Sequence, residues 1–97
     1  MVAVIAQMKI KEGKMDEVTD LFRSLVPKVG TEEGTVGYAV CHHKTNPNLL
    51  VVVERYRDME AIKAHSSTPH FKEFFKAVGP LLYGKPDITI LEEIASI

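Results

Sequence analysis

Two stretches of the chain, Val2–Ile10 and Leu49–Tyr56, alternate as strands do, yet both of their faces are apolar. In the first, Val2, Val4, Ala6, Met8 and Ile10 point one way, and Ala3, Ile5, Gln7 and Lys9 the other. In the second, Leu49, Val51 and Val53 oppose Leu50, Val52, Glu54 and Tyr56. A strand of this kind has to be covered on both sides. With 97 residues the chain has room for one small domain, so it has little material with which to cover them.

Between and after these strands the pattern changes period. Met15, Val18, Phe22, Leu25, Val26 and Val29 keep helical spacing, which predicts a helix from about Lys14 towards Val29, with a kink or early end at Pro27. Thr35–Lys44 alternates again, with Val36, Tyr38, Val40 and His42 on one face. The turn Thr45-Asn46-Pro47-Asn48 joins it to Leu49–Tyr56 as a hairpin. A short helix is expected over about Met59–His65 and a second from Pro69, carrying Phe71, Phe74, Phe75, Val78, Leu81 and Leu82, bent at Gly79-Pro80 and stopped at Gly84. Ile88–Ile94 is the last strand. The order β-α-β-β-α-β predicts a ferredoxin-like α+β fold, a four-stranded antiparallel sheet with helices on one face. The uncovered face would then be a contiguous apolar patch, which soluble monomers rarely expose. A symmetric homodimer packed through the sheet faces is therefore expected.

Composition excludes several classes of partner. A net charge of -1 with scattered Lys and Arg offers no footprint for nucleic acid and no basic patch for a membrane surface. The apolar start lacks a basic front and is too short to span a bilayer. Cys41 is the only cysteine, which rules out an intrachain disulfide and fits a reducing compartment; a cytoplasmic location is expected.

The chemistry-bearing residues concentrate in Glu54–Phe71. Asp58 suits a helix N-cap and Glu60 the positive end of the helix dipole. Ile62 and His65 are three apart and share a face, and Ser66-Ser67 breaks the helix before Thr68-Pro69 starts another. His65 thus points over the sheet near the end of the third strand. It is either a satisfied core histidine or a base held by a neighbouring group. Glu54 is the nearest partner in sequence, with Tyr56 on the same strand face; the alternatives for these two are a helix cap and a packing residue. Gln7, mid-strand among apolar neighbours, is expected to line a polar pocket, and Tyr38 to offer a hydrogen bond. His70 is either a solvent-facing first-turn residue or a site residue, and Phe71, Phe74 and Phe75 form a core cluster whose rim makes a pocket wall, with Phe71 and Phe74 expected at the substrate. No metal site is expected: His65 and His70 are five apart across a break, His42 and His43 point to opposite faces, and there is no Cys pair. No nucleotide fingerprint or nucleophile elbow is present.

Gly34-x-x-x-Tyr38, Glu54-x-Tyr56-x-Asp58-x-Glu60-Ala61, His65 and Ser67-Thr68-Pro69-His70-Phe71 together give the chain a pattern that resembles the antibiotic biosynthesis monooxygenase domain family over nearly its whole length. The members most alike are small bacterial quinol monooxygenases. The resemblance implies a dimeric α/β-barrel of ferredoxin-like subunits, one pocket per subunit between sheet and helices. It implies a chemistry without cofactor: a hydroquinone or polyphenol is deprotonated, its anion reduces dioxygen, and the adduct collapses to a quinone. On that reading His65 is the base, Glu54 its orienter, and Gln7, Tyr38 or Tyr56 the donors, with His70, Phe71 and Phe74 around the substrate. The haem-degrading branch carries its iron-binding histidine at about Phe75 of this chain, which argues against haem. A branch that isomerises a small phosphorylated hydroxy-ketone from a quorum signal shares the His-x-x-Thr-Pro-His stretch, and a non-enzymatic small-molecule-binding dimer is the third alternative.

Overall fold

A computed structural model describes residues 1–97. The elements run β1 (Val2–Lys9), α1 (Met15–Val29), β2 (Thr35–His42), β3 (Leu49–Tyr56), α2 (Met59–Ser66), α3 (Pro69–Val78) and β4 (Asp87–Glu92), with a short 3-10 helix at Gly79–Leu81. The sheet is antiparallel in the order β2-β3-β1-β4. This is the ferredoxin-like arrangement that the alternation of periods predicts. The strongly apolar β1 and β3 take the two central places, which is where strands that are greasy on both faces belong.

The helices cover one face only. Val18, Phe22, Leu25 and Val29 of α1 and Phe74 and Val78 of α3 are buried against Ala6, Met8, Leu50 and Val52 of the sheet. Each large side chain so buried contributes about 1.5–3 kcal/mol. The other face carries Ala3, Ile5, Val51, Val53 and Leu91, with no helix over it; Val53 and Leu91 are 40% and 46% exposed.

Several boundaries differ from the sequence reading. Pro27 does not end α1, which continues to Val29 with Lys28 in its last turn. The proline forfeits one backbone bond, and the apolar stripe through Val29 holds the last turn down. Helix α3 stops at Val78 rather than bending through Gly79-Pro80, because Pro80 cannot supply a helical N–H and the chain tightens into the 3-10 turn. Gly84 has φ +72 and belongs to the turn into β4, not to a helix end. Strand β4 ends at Glu92, short of the expected Ile94.

Candidate functional site

The loop after α1 is pinned from two sides. Gly34 accepts a hydrogen bond from the Arg57 N–H at 2.9 Å. Its missing side chain is what lets α2 approach: a Cβ there would lie 2.4 Å from the Cβ of Ala61. Within the loop, the Thr35 hydroxyl donates to Oε1 of Glu32 at 2.9 Å. Glu32 is thereby turned inward under α2 and α3, where its side chain is only 10% exposed.

Helix α2 starts as expected, with the Asp58 carboxylate accepting from the Ala61 N–H at 2.9 Å. It ends at Ser66, and Thr68 caps α3, accepting from the Phe71 N–H at 3.2 Å while donating to the His65 carbonyl at 2.8 Å. The break swings His65 and His70 onto one carboxylate. His65 Nδ1 lies 2.7 Å from Glu32 Oε1, and His70 Nε2 lies 2.6 Å from Glu32 Oε2. A carboxylate only accepts, so each imidazole donates an N–H to it. That fixes the tautomer of neutral His65 with its proton on Nδ1 and a bare lone pair on Nε2.

Nε2 has no partner within the chain, although the residue is 4% exposed. The side chain borders a cavity of about 370 Å³ between the sheet and α2–α3. The ring is hemmed by Phe71, Tyr56 and Tyr38, with centroids 5.1, 5.4 and 5.8 Å away. The cavity is lined mostly by hydrocarbon, among it Val4, Ala6, Val52, Phe75 and Ile88, with Tyr38, Glu54, Tyr56 and His65 gathered at one end.

Glu54 stands on the helix-facing side of β3 and is buried. Its Oε1 accepts a short hydrogen bond from the Tyr56 hydroxyl. Burial pushes the Glu54 carboxyl up, against the opposing pull of the Tyr56 bond and of His65. Burial, and then the neighbouring Glu54 carboxylate, raise the phenols of Tyr38 and Tyr56 far above their usual range, so both are neutral donors. For Glu32, burial alone would raise the carboxyl, but the bonds from His70, Thr35 and His65 outweigh it and hold it below its usual value.

Four expectations from the sequence need correction. Glu54 does not orient His65; that carboxylate is Glu32, and Glu54 is taken by Tyr56. Gln7 does not reach the pocket: Val4, Ala6 and Met8 face the helices, so strand alternation turns Gln7 to the open face, where it is exposed. His70 does not line the cavity but braces Glu32 from behind. Phe74 sits in the core with its ring 4.4 Å from Phe22, so of the three clustered phenylalanines only Phe71 and Phe75 reach the wall. Tyr38, Tyr56, His65, Glu54 and Phe71 do border the cavity. The residue missed was Glu32, in the loop between α1 and β2; its one local sign was Thr35 three positions on, the spacing of a side-chain-closed turn.

Comparison with known proteins agrees with this architecture. The family model described as antibiotic biosynthesis monooxygenase matches residues 1–77. The Escherichia coli (strain K12) protein named "Probable quinol monooxygenase YgiN" is 33% identical over 88 residues, covering 80% of this chain and 85% of that one. A crystal structure of a conserved protein from Methanosarcina mazei superposes with a TM-score of 0.91 at 29% identity, covering 95% of this chain and 91% of that one. A crystal structure described as antibiotic biosynthesis monooxygenase gives a TM-score of 0.91 at 26% identity, over 98% of this chain and 100% of the other.

Proposed function

The chain belongs to the antibiotic biosynthesis monooxygenase family, and on that premise we propose that it oxidises a small aromatic hydroquinone or polyphenol with dioxygen, without a cofactor. One observation carries the reading: an imidazole pinned through Nδ1 by a carboxylate at 2.7 Å, its Nε2 left bare, on the lining of a largely hydrocarbon cavity. A phenol entering that cavity meets a base, neutral hydroxyl donors and little water, which together are what this chemistry asks of a protein.

Nε2 of His65 takes the phenolic proton, and Glu32 stabilises the imidazolium that results. Tyr38, whose hydroxyl makes no hydrogen bond within the chain, is the donor to the developing phenolate. The anion passes an electron to dioxygen, the two radicals join at a ring carbon that bears hydrogen, and the imidazolium returns its proton to the peroxide. Loss of the ring hydrogen as a proton then breaks the O–O bond and leaves a quinone carbonyl and water. One oxygen atom stays in the product, and the ring supplies both electrons that reduce the other.

Oxygen uptake with a panel of neutral hydroquinones, for the protein and for His65→Ala, tests this. Uptake that depends on substrate and falls at least tenfold in the variant is expected; uptake no faster than in buffer, or equal in the two proteins, refutes it. The proposal includes a symmetric homodimer through the open sheet face, supported by the exposed Val53 and Leu91 beside Ile5 and Val51. Sedimentation at micromolar concentration should give twice the chain mass of 10.8 kDa, and a monomer would remove the dimer.

A further inference from the structure

The cavity has two chemically unlike ends, and strand register measures the distance between them. Val4 pairs with Glu54 on one side and Ile90 on the other, and Glu54 pairs in turn with Tyr38, so the polar end lies on that rung of the sheet. Ala6 pairs with Ile88, and Met8 lies two residues further on, where the chain enters β4 through Lys85 and Pro86. From Val4 to Met8 is four residues, or about 14 Å along a strand. Hydrocarbon from Ala6, Val52, Phe75 and Ile88 fills the interval.

The cavity is open along β4. Strand β4 is an edge strand with no helix above it, so Ile88 and Ile90 are half-exposed although they face the cavity. Lys85 is the one Lys or Arg on the lining, and no carboxylate lies within 4 Å of its ammonium group. The other end carries the Glu54 carboxyl on the lining, with Glu32 behind His65, and no Lys or Arg. An anionic substituent therefore finds a lysine at the far end of the lining and none at the end that holds Glu54.

We propose that the substrate of this site is a hydroxy-aromatic longer than one ring, with an anionic substituent opposite the reacting hydroxyl, and that Lys85 at the far end of the lining recognises that anion. The inference rests on the reading of the cavity as the substrate site. A single ring held at His65 falls short of Lys85. Two fused rings bearing a terminal carboxylate bridge the interval once the flexible lysine side chain leans inward. The single lysine then fixes which way round the molecule lies, placing the hydroxyl at Nε2.

Binding separates this from the oxidation itself. The probes are 2-naphthol and 6-hydroxy-2-naphthoate, which share a ring system and a hydroxyl and differ in a carboxylate at the far end. Their dissociation constants are measured by calorimetry under anaerobic conditions for the protein, Lys85→Ala and Lys85→Glu. The naphthoate should bind roughly three- to tenfold more tightly than the naphthol, the range of a rim ion pair over apolar surface. The preference should vanish in Lys85→Ala, reverse in Lys85→Glu and shrink as salt is added, while naphthol binding stays constant. Equal affinities in the unaltered protein, a preference that survives Lys85→Glu, or failure of both probes to bind overturns the proposal. If neutral hydroquinones are oxidised while the naphthoate preference is absent, Lys85 loses its role and the oxidation stands. A charge-dependent preference without oxygen uptake leaves the opposite result.

Discussion

Replacing Glu32 by Gln separates the two things that carboxylate does. It accepts from Thr35, His65 and His70, and so ties the α1–β2 loop to both α2 and α3. Hydrogen bonds to a charged acceptor are worth about 1.5–3 kcal/mol each, with the sum reduced because the three share one group. The amide keeps one acceptor oxygen and turns an NH2 towards the other side, so one imidazole must change tautomer to accept from it. The net loss should be about 1.5 kcal/mol, which for a domain of this size lowers the melting temperature by on the order of 10 °C. Glu32→Ala would strand all three donors and cost more, so Gln is the cleaner probe.

The pH dependence follows from the direction of the shift. Burial works against the charged carboxyl, but the bonds from His70, Thr35 and His65 prevail, so the native value lies below the unfolded one. Such a group adds stability that is complete above the unfolded value and is lost as pH falls through the native one. The gap between the two proteins in urea midpoint should therefore be full near neutrality and begin to close below about pH 5. Turnover should fall tenfold to a hundredfold with KM nearly unchanged, because the imidazolium loses its charged partner while the cavity keeps its shape; that is about 1.4–2.7 kcal/mol of barrier. Urea titrations across pH and oxygen-uptake kinetics read both effects. A Gln variant that matches the parent in stability at neutral pH and also in kcat would show that Glu32 neither clamps the helices nor supports His65.

Other outcomes follow from the same contacts. Burial raises the Glu54 carboxyl above its unfolded value, so its charged form opposes folding, and stability is lost as pH climbs through the interval between the two. Glu54→Gln should therefore gain on the parent between pH 4 and pH 8 in urea midpoint; a constant difference would contradict the assignment. Tyr56→Phe removes the donor to Glu54 and should cost about 1–2 kcal/mol by chemical denaturation, with no loss expected if that carboxyl is solvated. Gly34→Ala forces its Cβ onto that of Ala61 and should cost about 1–3 kcal/mol. Adding Ala61→Gly should recover part of that loss despite the poorer helix propensity of glycine; a double variant no better than the single one would place the strain elsewhere.

The fold was legible because each of its elements announces itself locally. Asp58 and Thr68 cap the helices where short polar residues precede apolar periods, and β1 and β3 declare their central places by being apolar on both faces. Pro27 misled because a local rule about backbone donors was outweighed by packing from Val29. Half of the site was equally plain. His65, Tyr56, Phe71 and Glu54 crowd into one short stretch, and helix and strand periodicity turn them inward.

What sequence adjacency cannot supply is the partner of a side chain. Glu54 is eleven positions from His65 and Glu32 is thirty-three, yet Glu32 makes the bond. The strand carries Glu54 on a pleat where Tyr56, two residues on and on the same face, reaches it first. The loop carries Glu32 under two helix ends because Gly34 lets the backbone close on Ala61. The position that reveals the acid is thus a glycine two residues away, whose reason is steric and becomes visible only once α2 is laid beside it. The two carboxyls then divide the work by environment: Glu32, with three donors, stays ionised and holds the imidazole, whereas Glu54, with one donor at an apolar wall, is driven towards its neutral form. The anion behind the histidine and the weaker acid on the cavity wall are thus set apart by donors and burial, not by their places in the chain.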